Sequence, residues 1–314
     1  MKFNEDFPSG IKNPGVSEDG ESIVLKKFHG DLTPFIKSTS PLPEKIVNIL
    51  GVDVETTGKE AKTDKITELT IYPAKVDALS GRLLSVEKPL TWLNDPGMPI
   101  PKEISQYTGI TDEMVKGKSI DKDMVLSVVK NQDYIIAHEA KFDHGFVSRI
   151  IPQTKNMIWA DSRSLPWRMM GASSTSLASL SNDHGFFYDA HRSELDVAAM
   201  LRILSQGPEG LSGKSGYFNY LFDEASKNQT VLVALGAPFD RKDELKSRNW
   251  HWDGDVKVWN FSSRNQDDIN KEVMWYKEKK ISPFLPFKAF GPEFIYDEEF
   301  KKTSLENVRN WDRL

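Results

Sequence analysis

A chain of 314 residues, 39% hydrophobic and 28% charged, is too long for one ordinary domain and too apolar to stay disordered, so about two folded domains are expected. It has no cysteine, which excludes disulfides, thiolate metal sites and cysteine nucleophiles and agrees with a reducing compartment. A formal net charge of −5 argues against a protein that coats nucleic acid non-specifically, so any attraction to phosphate has to be local.

Residues 1–45 are polar and punctuated by Pro8, Gly10, Pro14, Gly15, Gly20, Pro34, Pro41 and Pro43; they read as a loosely ordered extension, with a short apolar run at 22–25 that suits a strand. Met1 to Asp6 carry acids and no apolar run, so no secretory signal is expected, and no apolar stretch is long enough to span a bilayer. Residues 46–206 have a mixed α/β pattern. A first strand ends in Asp53-Val54-Glu55-Thr56-Thr57-Gly58, and strands follow at 66–72 and 82–86, joined by a turn at 78–81. Pro99 and Pro101 introduce a helical piece, Thr111 caps another, and 121–130 has helical spacing. A compact apolar strand at 134–138 precedes a helix with Phe142, Phe146, Val147 and Ile150 on one stripe. Residues 157–159 read as a strand, and 177–184 and 193–205 as amphipathic helices. The glycines and Pro208 around 207–216 suggest a linker, within a connection over 207–228. Beyond it, a strand at 230–235, a helix at 241–248 and a hairpin at 250–261 turning at Asp253-Gly254-Asp255 make a small βαββ-like module over 229–280. Residues 281–314, with aromatics among Pro283, Pro286 and Pro292, read as an irregular tail.

The chemistry starts from Asp53 and Glu55. Strand side chains alternate, so these two acids face one side while Val52 and Val54 face the other. Two neighbouring anions repel, and hard oxygen ligands suit Mg²⁺ or Mn²⁺. Asp143 lies just inside the helix after strand 134–138, and strand ends with their departing helices form the usual crevice of an α/β sheet. Asp196 lies on the helix that starts near Ser193, with His191 just before it. Each has a plainer alternative: a helix-capping acid for Asp143, a solvated acid for Asp196, a surface residue for His191. A two-metal site accounts for all of them at once. Two divalent cations roughly 3.5–4 Å apart clamp the attacking and leaving oxygens of a phosphoryl displacement. Asp53 would bridge them, Glu55 and Asp196 would complete one, and Asp143 would hold the other. A histidine titrates near neutrality, so His191 can act as general base. It lies five residues from Asp196, about 140° around an ideal helix, and is therefore expected on the preceding loop.

The order Asp53-Val54-Glu55-Thr56-Thr57-Gly58, His138-Glu139-Ala140-Lys141-Phe142-Asp143 and His191-Arg192-Ser193-Glu194-Leu195-Asp196 resembles the three motifs of the DnaQ-like 3′–5′ exonucleases, DEDDh type. The proofreading subunit of bacterial replicative polymerases belongs to that family. Tyr107-Thr108-Gly109-Ile110-Thr111, Asp161 and residues 177–180 agree with it. The resemblance covers about 46–206. It implies an α/β, ribonuclease H-like fold with a central mixed sheet flanked by helices, to which a small α+β C-terminal module is added. It also implies a metal-dependent enzyme that hydrolyses DNA from a free 3′ end, single strands preferred, and releases nucleoside 5′-monophosphates. Two Mg²⁺ (or Mn²⁺) would be held by Asp53, Glu55, Asp143 and Asp196, with His191 as base. Thr56, Thr57 and Phe142 would border the terminal nucleotide, and Lys141 and Arg192, among other basic residues near the motifs, would supply local positive charge. Two departures stand out: Glu139 where the family usually has Asn, and Ser193 where it usually has Ala. Neither removes a ligand or the base, so the site is expected to be active.

The stretch from Leu245 to Asp253, with Lys257 and Trp259, resembles a small domain appended to bacterial and phage nucleic-acid-processing proteins. Trp250, Trp252 and Trp259 with Lys246, Arg248 and Lys257 read either as a stacking platform for single strands or as the module's core, and tryptophan burial separates the two. Other functions left open are an RNA or oligonucleotide exonuclease, a non-catalytic nucleic-acid-binding module, and an accessory subunit whose C-terminal region docks on a polymerase or another replication or repair protein. The expected setting is the cytoplasm of a bacterial or phage-type system, without a membrane partner.

Overall fold

The computed structural model describes residues 15–37, 43, 45–207, 216–282 and 284–314. The chain divides into two compact units, Met1–Ala225 and Ser226–Leu314. In the first, a short strand β1 (Lys26–Lys27) precedes the central strand β2 (Ile46–Thr56). Ile49, Leu50, Gly51 and Val52 of β2 are all buried, as in a strand with both faces covered. β3 (Ile66–Asp77) runs antiparallel along β2, and the register sets Asp53 opposite Thr70 and Glu55 opposite Glu68. β4 (Leu83–Val86) and β5 (Leu90–Leu93) both pair antiparallel with β3. After α1 (Lys102–Thr108), α2 (Asp112–Val115) and α3 (Lys122–Val129), the chain returns parallel to β2 as β6 (Tyr134–Ala137). After α4 (Ala140–Ile150) it runs parallel to β6 as β7 (Trp159–Asp161). The elements α5 (Leu177–Asp183), β8 (Phe186–Phe187), α6 (Ser193–Ser205) and α7 (Tyr217–Ser226) follow. The order β4-β3-β2-β6-β7, with β3 reversed against its neighbours, is the mixed sheet of the expected ribonuclease H-like fold.

The core of this unit joins the sheet to α6, whose Val197 lies over Gly51. A Cβ at position 51 would stand 2.6 Å from Val197 Cγ1, so the glycine sets how closely the helix approaches the strand. The same core takes in segments that the sequence reading placed outside the domain. Phe28 and Leu32 are buried in it, and the Arg202 guanidinium of α6 lies over the rings of Phe28, Phe35 and Phe186. The reading of 1–45 as a loose extension is therefore corrected for its described residues 26–37; residues 1–14, 38–42 and 44 lie outside the described residues. The expected strand at 22–25 is absent there, and an isolated bridge joins Val16 to Ile23. Likewise Tyr217, Phe218, Leu221 and Phe222 of α7 belong to this core. The first unit thus runs to 225 and not 206, because an apolar helix follows what reads as linker; most of that linker, 208–215, lies outside the described residues.

The second unit is an α+β module built on the antiparallel sheet β10-β11-β9-β12-β13. Its elements are β9 (Gln229–Ala234), α8 (Lys242–Ser247), β10 (His251–Asp253), β11 (Val258–Ser263), α9 (Gln266–Glu278), β12 (Pro286–Phe290), α10 (Glu298–Glu306) and β13 (Asp312–Arg313). Alternation along β9 gives the sheet two apolar faces: Leu232 and Ala234 pack with Trp250, Trp259 and Phe261, and Val231 and Val233 with Phe290, Leu305 and Trp311. The region read as an irregular tail supplies two strands and a helix to this module. Pro286 is tolerated because it opens its strand. Trp250 and Trp259 are core residues, Arg248 is engaged by Glu272, and Trp252 is 51% exposed with its ring on Trp259. The reading of three tryptophans as one stacking platform is thereby reduced to a single accessible ring. Among the described residues, no helix is long and apolar enough to cross a membrane.

Candidate active site

Asp53 and Glu55 leave the end of β2 on one face, and Asp196 reaches that face from the first turn of α6. One carboxylate oxygen from each lies within 4.8 Å of the others. Asp143, in the first turn of α4, is not part of this trio, although its charge bears on Asp53. It is 1% exposed, and its Oδ1 is buried without a hydrogen-bond partner. Burial, then the charges of Asp196, Asp143, Glu55 and Glu68, push the Asp53 carboxyl well above the usual carboxylate range. Burial, then Asp196 and Glu68, raise Glu55 to about 8. Burial and then Asp161 raise Asp143 strongly. Burial raises Asp196 too, but less strongly, because the Tyr188 hydroxyl, the nearby His191 and the backbone at Arg192 and His191 offset it.

These groups fit a hard divalent cation. The donors are all oxygens, one of them is an orphaned buried atom, and the mutual repulsion that holds these acids protonated is what bound positive charge relieves. The remaining hydrogen bonds aim the carboxylates. The Tyr188 hydroxyl donates to Asp196 Oδ1 at 2.6 Å and the Arg192 N–H to Oδ2 at 3.0 Å. Glu68, 1% exposed on β3, accepts from the Ser193 N–H, the Ser193 hydroxyl and the Arg192 guanidinium. Thr70 joins this network through the Ser193 hydroxyl at 2.7 Å. Ser193, the departure from Ala, is thus a buried link between the start of α6 and β3.

His191 lies outside α6, one residue before its N-cap Arg192, with a left-handed φ of 69°. Its ring rests against that of Tyr107. Thr56 and Thr57 are buried and their hydroxyls shape the turn: Thr56 Oγ1 donates to the Gly58 carbonyl, and Thr57 Oγ1 bonds Asp64 and accepts the Lys65 N–H. Phe142 is half-buried with its ring on Phe146, and Lys141 is exposed on the same helix. Glu139 forms an ion pair with Arg163, so its extra negative charge is matched by a cation. Sequence reasoning assigned no role to Tyr188 or Glu68. Tyr188 precedes Asp196 by eight residues across a loop, and Glu68 meets Glu55 through a strand register that the intervening loop conceals.

Residues 50–204 match the model of the RNase_T family, described as exonuclease. A ribonuclease T of Shewanella oneidensis is 32% identical over 114 residues, covering 32% of this chain and 50% of that protein. The PolC-type DNA polymerase III of Listeria welshimeri is 40% identical over 99 residues, covering 31% of this chain and 6% of that protein. The chain thus spans half or less of the length of these relatives. A crystal structure of an E. coli ExoI–ssDNA complex aligns with 13% identity and a TM-score of 0.49, over 74% of this chain and 71% of that one. Residues 50–204 thus form an exonuclease domain of the RNase_T family, the DnaQ-like group that the three motifs resemble.

Proposed function

We propose that this protein is a DEDDh-type 3′–5′ exonuclease that hydrolyses DNA from a free 3′ end, preferring single strands and releasing nucleoside 5′-monophosphates. The observation that carries this reading is the convergence of Asp53, Glu55 and Asp196 beside a buried Asp143 with an unsatisfied oxygen. Two divalent cations, Mg²⁺ or Mn²⁺, held by these four residues would neutralise the scissile phosphate and make a bound water acidic enough to attack it. The chain's own residues do the rest. His191 takes the proton from the attacking water at an imidazole nitrogen. Tyr188 and the Arg192 N–H fix Asp196, so that its oxygens need not reorganise during the reaction. The turn held by Thr56 and Thr57 and the Phe142 ring border the terminal nucleotide. Lys141 and Arg192 offer positive charge to the phosphates next to it. Likeness to a ribonuclease T supports RNA 3′ ends as the second substrate class.

The test is a time course on 5′-labelled single-stranded DNA, duplex DNA and single-stranded RNA, with Mg²⁺, Mn²⁺ or EDTA. The expected result is a metal-dependent ladder shortening from the 3′ end, fastest on single-stranded DNA. A faster ladder on RNA reassigns the substrate. Binding without cleavage on every substrate overturns the enzyme reading.

A further inference from the structure

The rings of His191 and Tyr107 lie with centroids 3.8 Å apart and planes inclined by 32°. His191 sits on a loop in the left-handed region, which a residue with a Cβ leaves readily unless its surroundings hold it. Among the described residues, no hydrogen bond to its imidazole is present. Its backbone and its charge act on Asp196, and the face of its imidazole rests against the Tyr107 ring.

Tyr107 is well placed to hold the imidazole. It is the next-to-last residue of α1, and that helix end is fixed locally. Gly109 closes the helix at φ 73° with its N–H on the Ser105 carbonyl. Thr108 Oγ1 donates to the Ile104 carbonyl and accepts the Ile110 N–H. Ile100, Ile110 and Val115, with Ile104 packed against them, form a small apolar cluster beneath it. Tyr107 is nevertheless 62% exposed, so its own burial does not explain an aromatic there.

We propose that Tyr107 is the positioning residue for His191: its ring, carried on a rigid helix end, fixes the plane of the imidazole. This rests on the proposed role of His191 as base. A base held in plane loses less turnover to misorientation than one that must be caught in the right rotamer.

The test uses the full chain with Mg²⁺ and a labelled single-stranded DNA oligonucleotide. Tyr107→Ala is expected to lower kcat by about 10–100-fold with KM changed less than about 2-fold. Tyr107→Phe keeps the ring and is expected to retain wild-type turnover. In a His191→Ala background, Tyr107→Ala is expected to have no further effect, the signature of two residues acting as one unit. The proposal is overturned if the loss falls on KM, which would make the ring a substrate contact. It is overturned equally if Phe fails to rescue, which would assign the role to the hydroxyl, or if the two substitutions add.

An independent readout needs no activity. The imidazole proton resonances of His191 in the substrate-free protein should carry a ring-current shift that Tyr107→Ala removes and Tyr107→Phe keeps. If the resonances do not move, the stacking proposal fails alone. If His191→Ala cleaves at the wild-type rate, the base assignment fails and the positioning role falls with it.

Discussion

Each carboxylate around the end of β2 makes its neighbours harder to ionise, and burial adds to the effect at Asp53, Glu55, Asp143 and Asp196 alike. Asp53 receives the most such neighbours, so Asp53→Ala should remove at least about 10³-fold of the cleavage rate, the scale on which a charge-stabilising group acts. The same variant should melt at or above the wild-type temperature in EDTA, since it deletes a repelling charge and no core contact. Comparable cleavage in that variant would defeat the metal assignment. The pH dependence has a definite sign. A folded state that keeps Glu55 protonated up to about 8 binds more protons than an unfolded chain whose glutamates ionise near 4.5, so without metal these acids lower stability as pH rises through that window. Buried His138, held near 4, and His184 act oppositely, but only below about 6.5, where an unfolded histidine takes up its proton. Between pH 6.5 and 8 in EDTA, the melting temperature should therefore fall, and Mg²⁺ should remove the fall; a flat profile in EDTA would contradict it. At this scale the acids themselves are legible, because the two-residue alternation places Asp53 and Glu55 together before any coordinates exist. What holds them is not legible: Tyr188, Glu68 and Tyr107 reach the site through register and loop geometry that no spacing encodes.

At the scale of elements, the spacing between β2 and α6 is set by Gly51, and with it the reach of Asp196 toward Asp53. Gly51→Ala puts a methyl where Val197 already stands, so the helix must shift outward. The expected outcome is a destabilisation of about 1–3 kcal/mol in a denaturant melt together with a fall in kcat. Unchanged stability and turnover would show that the helix is not held at that distance. The long strands and α6 could be read from their periodicity, since each presents several turns or alternations. β5 is four residues long, and β1 and β8 are two residues each, lengths at which alternation carries no information. β12 was hidden for another reason: prolines at 283, 286 and 292 signal an interruption, and the structure uses one of them to open a strand.

For the molecule as a whole, each of the two units offers its own test. Residues 226–314 should fold as an isolated fragment, with a cooperative melt and ordered tryptophan signals in near-ultraviolet circular dichroism. A fragment ending at 280 should not, because β12 pairs with β9 and covers an apolar face of the sheet. A cooperative melt of the shorter fragment would contradict that account. In the first unit, the contact between Arg202 and Phe28, Phe35 and Phe186 has a practical consequence. The helix that presents Asp196 is strapped at its far end by residues preceding the first motif. A chain trimmed to its motifs, at 46–206, would leave that arginine with only one of its three aromatic faces and strip α7 from the core. A fragment of this unit meant to stand alone should therefore begin at β1, some twenty residues before β2, and one beginning at 46 should melt at a lower temperature.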